Sequence, residues 1–306
     1  MAKSTFYSNG KLLITGEYVV LDGAKSLALP TKYGQNLSIE EIDSNHLIHW
    51  TSYDHDGSVW FEETIPFSSI IENKIQEGSK NIKSTLIEIL HEAYKLNSNF
   101  ITESKGYKVS TELTFPKFWG LGTSSTLINN ISQWLSIDAY VLLKNSFGGS
   151  GYDLACAQNN SAIIYQLVED QPQVETIAFH PEFSSKIYFV YLNKKQSSKE
   201  AIALYLEKQG SVGNSIEVIN QITHTVANTQ EINEFAKAIQ EHEIEMSNLL
   251  ELPTVQETLF PDFNGVVKSL GAWGGDFVMV ISKENPSTYF NQMGYSIVVP
   301  YEEMIL

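Results

Sequence analysis

Arginine is absent from this 306-residue chain: all 20 basic side chains are lysines, set against 36 acidic ones. That removes the planar guanidinium that grips a carboxylate or phosphate in two places, and with it any arginine finger. The net charge of −16 argues against a nucleic-acid partner, which calls for a basic face. Phosphate binding, if any, falls to lysine, backbone amides, hydroxyls and a metal. Cysteine is nearly absent too. The single Cys156 allows no intramolecular disulfide and no cysteine-rich metal centre, and it fits a reducing compartment. The seven histidines show no HExxH spacing. No apolar run reaches the ~20 residues of a membrane span. The start, Met1–Tyr7, carries no apolar signal core. The expectation is a cytoplasmic protein without membrane or nucleic-acid partners.

What is present supports a real core. Hydrophobic residues make up 42% of the chain and charged residues 18%, in a length that suits one large or two ordinary domains. Residues 4–63 read as β-rich. Within them, Lys11–Gly23 gives two apolar runs broken at Gly16 and closed by an Asp-Gly turn, and Asp54–Gly57 reads as a hairpin loop. Ile82–Leu96 has helical spacing of its apolar residues, and Tyr107–Leu113 alternates as a strand. Short helices are expected near 68–76, 137–144 and 152–157, and a strand over 162–167. The acidic stretch 168–183, with two prolines, is the expected domain boundary, giving domains 1–170 and 171–306. Beyond it the pattern predicts a strand at 187–192 and helices near 199–207, 212–228 and 231–250. Strands at 277–281 and 296–299 follow, separated by a short helix near 286–293. The second domain is therefore expected to be α+β.

The strand 107–113 leads into Gly120-Leu121-Gly122-Thr123-Ser124-Ser125-Thr126 and then an apolar helical run. A glycine turn before a helix start brings backbone amides and a positive dipole end to one place, which suits an anion. The four hydroxyls can cap the helix, touch phosphate oxygens or hold a metal, and the stretch alone does not choose. Two further glycine-dense turns occur at Ser146–Gly151, before Tyr152-Asp153-Leu154-Ala155, and at Gly271-Ala272-Trp273-Gly274-Gly275-Asp276.

Taken together, three ordered segments resemble the GHMP kinases. Gly10–Gly23 resembles the family's first motif, Gly120–Thr126 its second (commonly GLGSSAA), and Lys268–Asp276 its third. The resemblance spans essentially the whole chain. Glu17-Tyr18 and Gly274-Gly275-Asp276 are similar to the phosphomevalonate kinases in particular, with mevalonate kinase next. Ser150–Ala155 resembles a bacterial subgroup marked by a GYDIA signature. The implied fold is α+β in two domains. The N-terminal one is a β-rich α/β domain with a left-handed βαβ-type phosphate loop, and the C-terminal one is ferredoxin-like.

The resemblance implies ATP and Mg2+ as cofactors and phosphoryl transfer to a small molecule, mevalonate or phosphomevalonate. Such chemistry needs positioning and charge neutralisation. Gly120, Gly122, Thr123, Ser124 and Ser125 would cradle the phosphates together with Gly271, Gly274 and Gly275. Ser124 is the implied magnesium ligand. Asp153 falls on the family's catalytic base and Lys11 on the lysine that neutralises the transferred group. Substrate contacts are implied for Glu17, Tyr18, Lys195, Ser197, Ser198 and Lys268. Read as residues alone, Asp153 also suits a helix N-terminus, Lys11 a solvated strand, and Glu17 an ion pair. Trp273 replaces a small residue and suits either substrate packing or a domain interface. Family members often dimerise, so a homodimer is the oligomer the resemblance allows.

Two departures stand out. The mevalonate-kinase type carries a glutamate about eleven residues before its catalytic aspartate as a further magnesium ligand. Counting back from Asp153 reaches Leu142, and no acidic residue lies between Ala139 and Tyr152. The segment between the second motif and Asp153 is also short for the family. A catalytically lapsed nucleotide- or metabolite-binding protein is therefore the alternative, and a sugar or homoserine kinase a further one.

Overall fold

Two faces of alternating apolar residues and a handful of amphipathic helices generate most of the architecture. The computed structural model describes residues 3–73, 81–194, 202–203, 205–207 and 212–306. The chain forms two compact units that interleave in sequence. The first comprises Met1–Gly10, Tyr33–Lys117 and Gly122–Gln158, and the second Lys11–Lys32, Phe118–Leu121 and Asn159–Leu306.

Strands β1 (Lys3–Leu13) and β2 (Ser26–Glu41) each run through both units. In the first unit the later part of β2 pairs antiparallel with β5 (Gly106–Leu113), which pairs in parallel with β3 (Leu47–Tyr53). β4 (Val59–Pro66) pairs antiparallel with β3 through the hairpin expected at Asp54–Gly57, where Asp54 N–H donates to Ser58 O at 2.8 Å. The parallel β3–β5 pair needs a crossover, and the chain supplies α1 (Phe67–Ile71), α2 (Ile82–Leu96) and α3 (Asn99–Thr102). Asn81 and Ser84 cap α2 reciprocally, and its Leu86, Ile89, Leu90 and Ala93 are buried. They pack with Trp50, Ile128, Ile131 and Leu135 in one core. Each such aliphatic side chain contributes roughly 1.5–3 kcal/mol. The helices α4 (Thr123–Leu135), α5 (Ala139–Ser146) and α6 (Tyr152–Gln158) complete the unit, with Asp138 capping α5.

A neutral polar network threads this core. Thr126 donates to Gln35 Oε1 at 2.9 Å, and Asn130 Nδ2 donates to Gln35 O at 2.9 Å. Ser8 Oγ donates to Asn130 Oδ1 at 2.7 Å and accepts from Asn129 Nδ2 at 2.8 Å. Gln158 Nε2 donates to Asn129 Oδ1 at 3.1 Å, so α4 and α6 are joined side chain to side chain.

In the second unit, the first residues of β2 pair antiparallel with β6 (Ile163–Val168), and β6 with β7 (Gln171–Thr176). The segment read as an acidic boundary thus contains an edge strand. Pro172 is tolerated there because an edge strand has one side with no ladder to complete. A second sheet holds β8 (Ile187–Tyr191), β9 (Val266–Leu270), β10 (Phe277–Ile281) and β11 (Val298–Pro300) in the order β11-β8-β10-β9, all antiparallel. Between β8 and β9 come α7 (Val212–Asn228), α8 (Ile232–Leu250) and α9 (Val255–Leu259). Later come α10 (Ser287–Gln292) and α11 (Tyr301–Met304). This is the ferredoxin-like strand order expected of the second domain. All five residues of β8 and of β10 are buried, as unbroken apolar runs require. Among the described residues no helix is long and apolar enough to cross a membrane.

Within the stretch read as β-rich, the second apolar run of Lys11–Gly23 is not a strand: Val19–Asp22 closes into a 3-10 turn. Tyr18 sits at φ 65 and ψ −56, and Val19 N–H donates to Glu17 O at 2.8 Å. That is a γ-turn of the strained, positive-φ kind, which no hydrophobic pattern announces.

Candidate active site

In the second unit the end of β1 meets the Phe118–Leu121 segment. Lys11 N–H donates to Leu121 O at 3.0 Å, and Lys11 Nζ reaches Gly120 O at 3.5 Å. Gly120 has φ +71, and a Cβ there would fall 2.2 Å from Asp276 Oδ2. Only glycine lets this backbone approach the Asp276 side chain so closely. Asp276 in turn is stitched to the end of β8: its N–H donates to Lys194 O at 2.8 Å, and its carbonyl accepts from Leu192 N–H at 2.8 Å. Lys11, Gly120 and the third glycine segment, far apart in sequence, are therefore neighbours in one unit.

Beneath them lies a buried ionisable cluster. Glu17, His242, Glu243 and Lys268 are respectively 5%, 0%, 3% and 1% exposed. Lys268 Nζ donates to Glu17 Oε1 at 2.5 Å and to Ser269 O at 2.7 Å. Glu243 accepts from Ser269 N–H at 3.2 Å and from its hydroxyl at 3.0 Å. Burial pushes the Glu243 carboxyl up to about 7, against the pull of Lys268 and the Ser269 bonds. Burial also raises Glu17, again opposed first by Lys268. His242 is driven well below its ordinary value, by burial and then by the Lys268 charge, so its ring is neutral. Its Nε2 accepts from Gly16 N–H at 2.8 Å, which leaves the proton on Nδ1. The 3.3 Å contact of Nε2 with Glu17 Oε2 is therefore a carboxylate facing an uncharged ring. Glu17 Oε2 and His242 Nδ1 have no hydrogen-bond partner among the described residues.

Next in sequence, the Tyr18 ring is buried and stacks on Tyr205 at 5.8 Å. Burial pushes its phenol up to about 12, opposed by the bond from the Trp273 amide. Trp273 Nε1 donates to Pro253 O at 3.1 Å, so this indole packs within its own unit.

In the first unit, α4 begins directly after Gly122, whose backbone is left-handed and offers no side-chain cap. The hydroxyls do not take the first-turn amides. Ser125 is buried and donates to Gly122 O at 2.9 Å, and the Thr126 hydroxyl, which donates to Gln35, lies 3.1 Å from Gly122 O and 3.0 Å from Thr123 O. Ser124 alone of the four is exposed. The first turn carries no acidic residue. An uncapped helix start of this kind suits an oxyanion, and Ser124 is its most exposed hydroxyl residue, with Thr123 half-buried beside it. Asp153 stands in the first turn of α6, partly exposed. Among the described residues no group of three or more His, Cys, Asp or Glu is placed to hold a metal.

The second unit thus brings together Lys11, Glu17, Tyr18, Gly120, Lys268, Gly271, Gly274 and Gly275, while Gly122, Thr123, Ser124, Ser125 and Asp153 belong to the first. Glu17, Tyr18 and Lys268 are buried and bonded to one another's loops, not presented to solvent. Lys195, Ser197 and Ser198 lie outside the described residues. Motif reading missed His242 and Glu243. One signal was available: on α8 the buried residues Phe235, Ala238, Ile239, His242, Met246 and Leu249 follow helical spacing, which puts a histidine on the apolar stripe.

No protein-family model matches the chain, and no curated protein matches it in sequence. Solved structures do match its fold. The mevalonate kinase of Methanococcus jannaschii is 14% identical over 97% of each chain, with a TM-score of 0.70. A Streptococcus pneumoniae phosphomevalonate kinase, solved with phosphomevalonate and AMPPNP, is 16% identical over 95% of this chain and 97% of its own, at 0.70. A D-glycero-D-manno-heptose 1-phosphate kinase from Bacteroides thetaiotaomicron is 16% identical over 99% and 96%, at 0.67.

Proposed function

We propose that this chain, which has the two-domain α+β fold of the GHMP kinases, is an ATP-dependent small-molecule kinase whose acceptor is 5-phosphomevalonate. The observation that carries the reading is the meeting of Lys11, Gly120 and Asp276 in one unit, through the 3.5 Å Lys11–Gly120 contact and the glycine-only approach at Asp276. Three segments that resemble the family's motifs are thereby neighbours or joined by a few residues of chain. The uncapped start of α4 supports a phosphate at Thr123 and Ser124.

In this reading the γ-phosphoryl group of ATP bonds to an acceptor oxygen as its bond to the β-phosphate oxygen breaks and ADP leaves. The accepting phosphate oxygen of 5-phosphomevalonate is already ionised, so Asp153 positions charge, and would take a proton only from a hydroxyl acceptor such as mevalonate; the Lys11 ammonium neutralises charge that builds on the transferred group. Amides at Gly120, Gly122 and Thr123, with the glycines at 271, 274 and 275, hold the phosphates without any guanidinium. Bound Mg2+ would screen the phosphate charge, with Ser124 as its protein ligand and water filling the remaining positions. The acceptor follows from the resemblance at Glu17-Tyr18 and Gly274–Asp276, with mevalonate next.

A coupled assay for ADP across 5-phosphomevalonate, mevalonate, homoserine and simple sugars tests the acceptor, and 5-phosphomevalonate is expected to give the highest kcat/KM. Lys11→Met and Asp153→Asn should each lower kcat by about a hundredfold or more. Unchanged turnover in either would remove that residue from the chemistry. The lack of an acidic metal cluster among the described residues favours one other reading, a lapsed nucleotide-binding protein. Calorimetric binding of magnesium-ATP with no acceptor phosphorylated would decide for it.

A further inference from the structure

Tyr18 makes an unusual use of its phenol. The hydroxyl accepts from the Trp273 N–H at 2.9 Å and points back to Gly271 O at 3.5 Å, so it links the entry of the glycine turn to its tip. Among the described residues that turn is also held by a Gly275 N–H bond to Ala272 O at 2.9 Å, by a side-chain bond from the Trp273 indole and, at its base, by the Leu270–Phe277 pair. The ring cannot swing away easily. It is buried, stacked on Tyr205, and carried on a γ-turn at φ 65. Tyr205 is held in its turn by a hydrogen bond to Asp22, at the end of the same 3-10 turn. On the other side, the Lys268–Glu17 pair ties the strand that enters the glycine turn to the residue before Tyr18. Positive-φ strain at a bulky residue persists only where the surroundings fix it and is found at sites that need fixed geometry.

We propose that Tyr18 is a positioning residue for the 271–275 turn: its hydroxyl sets the direction of the Trp273 peptide and holds the turn ready for a phosphate-bearing ligand. The proposal rests on the reading above that this turn receives the nucleotide. It assigns to Tyr18 a role exerted through the turn, in place of the direct substrate contact implied by the family resemblance.

The test uses the full-length protein, Tyr18→Phe and, as a control, Tyr205→Phe, which keeps the ring stack but drops the bond to Asp22. Phenylalanine preserves ring volume, and thermal melting checks that each variant is folded. Two quantities are read: amide exchange over 271–276 without nucleotide, and the calorimetric Kd for magnesium-AMPPNP. Tyr18→Phe is expected to speed exchange over 271–276 about tenfold, leave β10 exchange unchanged, and weaken AMPPNP about tenfold. Tyr205→Phe keeps the stack and the Tyr18 hydroxyl and should change both several-fold less than Tyr18→Phe. Unchanged exchange over 271–276, or weakening of equal size in Tyr205→Phe, would overturn the proposal. If the parent binds no AMPPNP, the kinase reading falls, and the exchange comparison still decides the part Tyr18 plays. A Tyr18→Phe protein that did not fold would be replaced by Tyr18→Leu, which also lacks the hydroxyl and does not overfill the site, with the same expectation.

Discussion

The two units each bury a polar network, and they do it with opposite chemistry. In the first unit Ser8, Gln35, Thr126, Asn129, Asn130 and Gln158 are all neutral, and their amides and hydroxyls pair off. In the second, Glu17, His242, Glu243 and Lys268 are all ionisable, with two carboxylates against one ammonium. The neutral network ties α4 and α6 to the sheet at little cost, because every member finds a partner. Among the described residues the ionisable cluster leaves Glu17 Oε2 and His242 Nδ1 without one. A half-satisfied charged cluster is expensive to bury and sensitive to pH. The helix carrying Ser124 and the helix carrying Asp153 are therefore anchored in a way pH does not touch, whereas the strand entering the third glycine segment is anchored in a way that it does.

The largest break in this contrast should come from Lys268→Met. It leaves Glu17 and Glu243 buried without their cation, and urea denaturation should record a loss of about 3–5 kcal/mol. A loss below about 1 kcal/mol would mean the cluster opens to water.

Next is Glu243→Gln. The Glu243 carboxyl titrates near 7 in the fold against 4.5 ordinarily. The folded state thus holds the proton more tightly, so this contribution to stability is full below 4.5 and is lost as pH rises through about 7. Glutamine does not titrate. The variant should gain on the parent by on the order of 3 kcal/mol between pH 4.5 and 7, with a constant difference above. His242 acts with the opposite sign. Its folded value lies below the ordinary 6.5, so its contribution is present above 6.5 and lost as pH falls. It is common to both proteins and cancels in the difference. Denaturation curves at stepped pH check this, and a flat difference sinks it.

The smallest effect is expected in the neutral network. Asn130→Ala strands the Ser8 hydroxyl and the Gln35 carbonyl and should cost about 2 kcal/mol, by the same amount at pH 5 and pH 8. A pH-dependent loss would erase the distinction between the two units.

Much of this was legible in the chain. Ile82–Leu96 is a helix over the span its spacing predicts, and Asp54–Gly57 is the hairpin its turn residues predict. Phe277–Ile281 is a strand because an unbroken apolar run of that length fits one covered on both faces. Thr254 and Glu257 form a reciprocal cap on α9, a helix start that their spacing signals. Other features have no local signature. β7 is exposed along most of its length and carries a proline, so hydrophobic pattern could not find it. In the site, glycine turns advertise Gly120–Gly122 and Gly271–Gly275. The partnership of Glu17 with Lys268 and His242 spans more than two hundred residues and is set by packing alone.

The γ-turn at Tyr18 also governs where this chain can change length. Gly16 is pinned by its amide to His242, Tyr18 by its hydroxyl to Trp273, and the carbonyl of the intervening Glu17 by Val19. Adding or deleting a residue between 16 and 19 would rotate the glutamate and the tyrosine out of reach of both partners at once. At the Asp54–Ser58 hairpin tip, by contrast, a Cβ added at Gly57 would meet nothing within 4 Å, and an insertion there only lengthens a loop. Across related proteins, then, the spacing of Gly-Glu-Tyr should be invariant in length even where its side chains vary, while the hairpin grows and shrinks freely.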